Sequence, residues 1–252
     1  MAEQEPRSSR SRGRPASTRK HLPLWQETIL LLGIALVLAI VIKAFFLQAF
    51  YIPSESMEPG LVEDDRILVQ KVSYWAGGEP QRGDVVVFKD PGGWLSNAES
   101  GPNGGLTGVM EKIGLYPSGG HLVKRVIGVA GDTVECCDDQ GRILVNDVPL
   151  NEEDYVQAED GVKCRGPMKG CDWKAGPVPD GHVFVMGDNR AHSADSTVHM
   201  CEPKQETDCV PGEEFVPVDL VVGKVFVLLW PADRFRWNTR PATFEGVPDP
   251  SP

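Results

Sequence analysis

Residues Thr28 to Leu47 form the only stretch of this chain that is both apolar enough and long enough to leave water, and its core from Ile29 to Ile42 carries no charge. Twenty residues at a helical rise of about 1.5 Å span roughly 30 Å, the hydrocarbon thickness of a bilayer. A membrane-anchoring helix is therefore expected over residues 22–50. Lys43 near its outer end can snorkel to the interface, and Phe45, Phe46, Phe50 and Tyr51 suit the interfacial belt. A cleavable leader is the competing reading of such a run. No clean Ala-x-Ala site follows it, and the aromatics crowd the position where one would lie, so an uncleaved anchor is favoured.

The charge distribution orients that anchor. Residues 1–20 hold Arg7, Arg10, Arg12, Arg14, Arg19 and Lys20 against Glu3 and Glu5, a net +4, which leaves −15 of the overall −11 for the remainder. Basic residues flanking a span stay inside, which places residues 1–23 in the cytoplasm and everything after about residue 50 outside. Residues 1–21, rich in Arg, Ser and Pro, read as a disordered tail. An acidic main domain argues against nucleic acid as a partner, because phosphate recognition needs clustered Lys and Arg. The basic arm alone would suit nucleic acid or anionic lipid, but its position directly before the apolar run makes it a topology signal.

All six cysteines (Cys136, Cys137, Cys164, Cys171, Cys201, Cys209) fall in the outer part, where disulfides persist. The short loops Cys164–Cys171 and Cys201–Cys209 are the natural pairings. Adjacent Cys136 and Cys137 are left to a vicinal bond, to intermolecular pairing or to the reduced state. A zinc site from these thiols with His192 and His199 matches no compact ligand spacing, and no metal or other cofactor is expected.

With 252 residues, one anchor and one ordinary domain account for the chain. β-type runs follow the anchor at Asp65–Val72, Asp84–Lys89, His121–Val129, Thr133–Cys136, Arg142–Val145, His182–Met186 and Leu220–Trp230. Gly83-Asp84, Gly131-Asp132 and Gly187-Asp188 mark turns at their edges. The expected fold class is mainly β: an extracytoplasmic all-β domain over 51–240, of the kind a partly open barrel provides. It carries glycine-rich and polar inserts at about 90–120 and 197–217, with a short helix around Val109–Ile113, and a Pro-rich tail over 241–252. Trp75 and Trp94 are candidates for contact with lipid.

Serine hydrolysis needs a nucleophile, a base and donors for the oxyanion. Ser56 lies six residues past Phe50, within about 20 Å of extended chain from the end of the apolar segment. None of the five histidines forms an evident Ser/His/Asp arrangement: His21 precedes the anchor, His121 and His182 sit at strand starts, and His192 and His199 lie near polar insert material. A lysine serves only if burial favours its neutral amine. Lys124 interrupts the run Leu122-Val123-Lys124-Arg125-Val126-Ile127, but that pattern alone favours an ordinary solvent-facing strand lysine.

Three blocks taken together change the reading. Pro53-Ser54-Glu55-Ser56-Met57-Glu58-Pro59-Gly60-Leu61, Val123-Lys124-Arg125-Val126-Ile127-Gly128 and Gly187-Asp188-Asn189-Arg190 with Ser193-x-Asp195-Ser196 follow one anchor in this order. So arranged, with Arg82-Gly83-Asp84 and Val222-Gly223-Lys224 between and after them, the chain resembles the bacterial type I signal peptidases, also called leader peptidases, over residues 22 to about 232. The resemblance implies that Ser56 is the nucleophile and Lys124 the general base. It implies that the Ser56 N–H and the Ser54 hydroxyl form the oxyanion hole, that Ser193 hydrogen-bonds and orients Lys124, and that Arg190 and Asp195 support the site as a pair. Ile52, Pro53 and Val123 would line pockets for small residues of a substrate added as a β-strand. The implied activity is removal of N-terminal signal peptides after Ala-x-Ala-like sites, with signal-peptide-bearing preproteins and membrane lipid as partners. Gly60 stands where the family more usually has Thr, and Thr197 where it often has Arg. A Ser-Lys processing protease with a dedicated substrate and a non-catalytic membrane-tethered binding protein are the alternatives.

Overall fold

A computed structural model describes residues 23–42, 46–95, 120–157, 164, 170–201 and 210–250. The basic tail, Lys43, Phe45, the helix expected around Val109–Ile113 and Cys209 lie outside them. The chain divides into two units, residues 1–40 and 41–252.

The first unit contains one helix, α1, Leu24–Val41. Its leucines and isoleucines are exposed on every side: Ile29, Leu32, Leu36 and Ile40 are all more than half open. A helix apolar all round has no packing face of its own. Among the described residues no helix is long and apolar enough to cross a membrane. The helix expected over 22–50 is cut short because Leu47–Tyr51 pair as a strand with Arg66–Gln70. Phe50, read as an interfacial aromatic, is buried in the core of the second unit.

The second unit is mainly β. Its strands are β1 Leu47–Tyr51, β2 Arg66–Gln70, β3 Val85–Lys89, β4 His121–Gly128, β5 Val134–Cys136, β6 Ile143–Val145, β7 Val148–Pro149, β8 Trp173–Ala175, β9 His182–Met186, β10 Val216–Pro217, β11 Val221–Trp230 and β12 Arg236–Trp237. One antiparallel sheet runs β1-β2-β11-β3-β4-β9-β10 with β12 on β11, and a smaller one runs β7-β6-β5-β8. β11 thus joins the half of the large sheet that begins with β1 and β2 to the half that continues through β3 and β4.

Strand β3 explains why the large sheet has two buried faces. Successive side chains of a strand point oppositely. Val85 and Val87 enter a cluster with Phe50, Ile52, Met57, Ile67, Val69, Val225 and Leu228. Val86 and Phe88 enter another with Trp94, Leu122, Val126, Val183, Val185 and Val216. A third cluster holds the small sheet, with Val134, Ile143, Val145 and Leu150 wholly buried beside Phe184 and Met186. Each such side chain stabilises the fold by about 1.5–3 kcal/mol relative to exposure.

The Gly-Asp pairs do more than turn the chain. Asp84 accepts from Lys224 at 2.6 Å and Arg240 at 3.1 Å. Asp132 accepts from two Arg82 nitrogens at 2.6 Å each. Asp188 accepts from Arg125 at 2.7 and 2.6 Å. All three carboxylates are buried, so each turn doubles as an anchor for a basic residue distant in sequence.

Two disulfides join Cys136 to Cys137 and Cys164 to Cys171. Cys201 is disulfide-bonded as well, and its expected partner Cys209 lies outside the described residues. The sulfurs of Cys136, Cys137 and Cys164 lie within 4.8 Å of one another, but as disulfide sulfurs they offer no thiolate to a metal.

Candidate active site

Ser56 sits in the single 3-10 turn Glu55–Met57, which follows the extended segment leaving β1. Ile52 ties that segment to the next loop, with its N–H donating to Asp65 O at 2.9 Å and its C=O accepting from Asp64 N at 3.0 Å. Met57 and Leu61 bury beneath the turn. The turn is also held from across the fold: Asn189 N donates to Ser56 O at 3.1 Å and Asn189 Nδ2 to Glu55 O at 3.2 Å.

Lys124 comes from β4, where it pairs in register with Val86 of β3. Its Nζ donates to Ser56 Oγ at 2.7 Å across 68 residues of sequence. Both groups are nearly closed to solvent, Ser56 at 7% and Lys124 at 4% exposure. Ser54 Oγ lies 3.2 Å from Ser56 Oγ. The solvent-facing strand position that the local pattern allowed for Lys124 is therefore not the one it occupies.

A cleft of about 470 Å³ opens over this pair. Ile52, Pro53 and Val123 line it together with Phe50, Leu122 and Trp94. Its two long sides are strand edges. β1 ends the large sheet, and in β4 the residues His121–Lys124 pair with β3, whereas the described pairing with β9 begins only at Arg125. Phe50 and His121 touch between these edges, with ring centroids 5.3 Å apart. Trp94, considered for lipid contact, is instead 93% buried in this wall, its exposure being 7%.

Two expectations for the last block need correction. Arg190 and Asp195 do not pair. Arg190 forms a bidentate ion pair with Glu152 at 2.9 and 2.6 Å, both side chains 1% exposed. Asp195 accepts instead from Gly187 N at 2.9 Å, Thr197 N at 3.1 Å and Thr197 Oγ1 at 2.8 Å. Threonine at position 197 thus satisfies the carboxylate locally, leaving the guanidinium for a carboxylate elsewhere. The second correction concerns Ser193, whose buried Oγ has no hydrogen-bond partner and does not bond Lys124. It lies instead against Gly187, where a Cβ would overlap both Ser193 Oγ and the Ser56 carbonyl.

Glu152 and Tyr155 are the participants that sequence reasoning missed. They lie in the stretch after β7, which bridges to Pro59 through Val156 and to Asn189 through Gln157. Tyr155 donates to Glu152 at 2.8 Å, and its ring lies 4.4 Å from the Arg125 guanidinium carbon. Burial works against both guanidinium charges. The partner carboxylates outweigh it, so Arg125 beside Asp188 and Arg190 beside Glu152 titrate above the ordinary arginine range. Burial and the Glu152 charge push the Tyr155 phenol well above its usual range. Nothing in the sequence around Glu152 marks it, because its partner lies 38 residues away.

A mainly β domain that presents a serine and a lysine, hydrogen-bonded and buried beside two strand edges left unpaired among the described residues, has the architecture of a peptidase. Residues 25–230 match the family described as signal peptidase, peptidase S26. The chain is 39% identical over 225 residues to the signal peptidase I of Mycobacterium tuberculosis, covering 83% of this chain and 74% of that one. It is 37% identical over 238 residues to a protein of Mycobacterium leprae named probable signal peptidase I, with 86% and 80% covered. The chain belongs to the signal peptidase family, peptidase S26, and is a hydrolase of peptide bonds.

Proposed function

We propose that the chain is a membrane-anchored serine endopeptidase that removes N-terminal signal peptides from exported preproteins after Ala-x-Ala-like sites. The observation that carries this reading is the 2.7 Å hydrogen bond between Lys124 Nζ and Ser56 Oγ at one end of an apolar cleft. A precursor segment binds in extended form along the unpaired edges of β1 and β4, its main chain completing their hydrogen bonds. Ile52, Pro53 and Val123 line the same cleft as Ser56, and on this reading they form the pockets for small side chains.

In the first step Ser56 Oγ attacks the scissile carbonyl carbon as its proton passes to the neutral Lys124 amine. Burial favours that neutral form, and docking of an apolar peptide favours it further by expelling water. The Ser56 N–H and the Ser54 hydroxyl receive the negative charge that develops on the carbonyl oxygen. Lys124 then gives its proton to the departing amine, the peptide bond breaks, and an ester remains on Ser56. Water, deprotonated by Lys124, hydrolyses that ester and restores both side chains.

The anchor is α1 with the basic arm before it. Its support is the exposure of apolar side chains on all sides of the helix and the positive charge that precedes it. The arrangement puts the N-terminus in the cytoplasm and the β domain outside. Incubating the detergent-solubilised protein with a preprotein, and sequencing the new N-terminus, tests the function. Cleavage after an Ala-x-Ala site by wild type and none by Ser56→Ala is expected, and cleavage at unrelated sites would overturn it.

A further inference from the structure

The far end of the cleft from Ser56 is built by residues that belong to neither the serine nor the lysine block. β3 ends at Lys89, and Asp90 then gathers the loop that follows. Its carboxylate accepts from Gly92 N at 2.9 Å, Trp94 N at 3.1 Å and Leu95 N at 3.2 Å, and Asp90 N donates to Gly120 O at 3.0 Å. Trp94 meets Phe88 edge-on at 5.9 Å. From the other insert, His199 stacks flat on the indole, with centroids 4.3 Å apart and planes 9° apart. Val198 N donates to Asp195 O at 3.0 Å, so the histidine is tied to the loop that also carries Ser193. Two segments distant in sequence thus converge on one rigid aromatic stack, which walls the cleft together with Leu95.

Position along the cleft decides what this wall would touch. Lys124 is at the Ser56 end, and Gly120 is at the Trp94 end. Four residues of strand at about 3.3 Å each separate them by about 13 Å. An extended peptide lying along β4 covers that distance with about four residues. The chemistry of the two directions from Ser56 differs. Met57 also lines a second cleft of about 680 Å³ whose walls include Asn151, Asn238, Thr239, Thr243 and Arg236. That wall mixes polar side chains with Leu61, Val85 and Trp237 and suits the varied start of a mature chain, whereas the side bounded by Phe50, Leu122, Trp94 and Leu95 suits an apolar leader.

We propose that Trp94 and Leu95, backed by His199, form a specificity subsite for a large apolar side chain four to five residues upstream of the scissile bond. This rests on the reading of the chain as a signal peptidase. It assigns the enzyme a second point of selection besides the small-residue pockets beside Ser56, one that reads the boundary at which the leader's apolar segment ends. A large apolar side chain there gains dispersion contacts with the indole and leaves water, and a serine gains neither.

The test uses the full-length protein and precursors that differ only at the fourth and fifth positions upstream of the cleavage site, with Leu or Ser at each. The ratio of kcat/KM for the Leu over the Ser precursor is read rather than the absolute rate. Wild type should favour Leu by roughly 10–100-fold, the range a hydrophobic pocket achieves. Trp94→Ala should bring the ratio close to one, and Leu95→Ser should lower it. Trp94 is largely buried, so if Trp94→Ala does not fold, Leu95→Ser at a half-buried position decides the matter. An unchanged ratio in a folded variant, or a wild-type preference lying at other positions, overturns the subsite alone. A wild type that cleaves none of these precursors overturns the peptidase reading and the subsite with it.

Discussion

As the proposed nucleophile, Ser56 depends on Lys124, 68 residues away, which is hydrogen-bonded to it where both are nearly closed to solvent. Ser56→Ala should therefore abolish cleavage with no loss of melting temperature. Lys124→Arg should be equally inactive, because a guanidinium cannot give up its proton in this range. The wild-type rate should rise with pH as the Lys124 amine loses its proton and stay high on the alkaline side until another group titrates, which a kcat/KM profile reads directly. A near-normal rate in Lys124→Arg would move the base elsewhere. Ser193 makes a separate prediction. Its hydroxyl is buried and unpaired, so removing it relieves rather than adds an unmet hydrogen bond. Ser193→Ala should melt at or above the wild-type temperature. Its kcat should stay near wild type, because the hydroxyl makes no bond to the amine. A large fall in kcat would show that Ser193 acts on Lys124 after all.

At the scale of elements, the stretch after β7 is tied to the last block by the buried Glu152–Arg190 ion pair, and its Tyr155 ring lies against Arg125, which is itself paired with Asp188. Breaking a buried pair by removing one partner costs about 3–5 kcal/mol, whereas replacing both by apolar groups is often neutral. Glu152→Ala should thus be strongly destabilising in urea unfolding, and the double change Glu152→Leu with Arg190→Met markedly less so. Equal losses in the single and double variants would show that Arg190 does not depend on Glu152. This brace also marks where the sequence stops being legible. Runs such as Asp84–Lys89 and Leu220–Trp230 announce themselves by β-branched residues and lie within a residue of the strands Val85–Lys89 and Val221–Trp230. β1 was invisible because Leu47–Tyr51 continues an apolar run and reads as more helix. β7, β10 and β12 have two residues each, too few for an alternation to show. The partners Ser56 and Lys124 were legible from the blocks around them. Glu152–Arg190, Tyr155 and the Trp94–His199 stack were not, because each joins segments whose local sequences carry no periodic signal.

Over the whole molecule, one strand governs whether the site exists. The serine turn hangs from β1 and β2, and the lysine belongs to β4 beside β3. Among the described residues, β11 is the strand whose pairing joins these halves, with β2 on one side and β3 on the other, while Val85 and Val87 pack against the core of the first half. A chain ending before Val221 should show no cleavage and no cooperative melting, even though Ser56, Lys124 and Ser193 are all present. Measurable turnover from such a fragment would mean that the two halves associate without β11. Synthesis runs from the N-terminus, so the apolar segment and Ser56 leave the ribosome long before residue 221 is made. During that interval Ser56 and Lys124 are two unconnected, hydrated side chains. On the proposed reading, the Ser56–Lys124 contact is therefore assembled only after β11 has been made, and a product terminated before it carries both side chains without the bond between them.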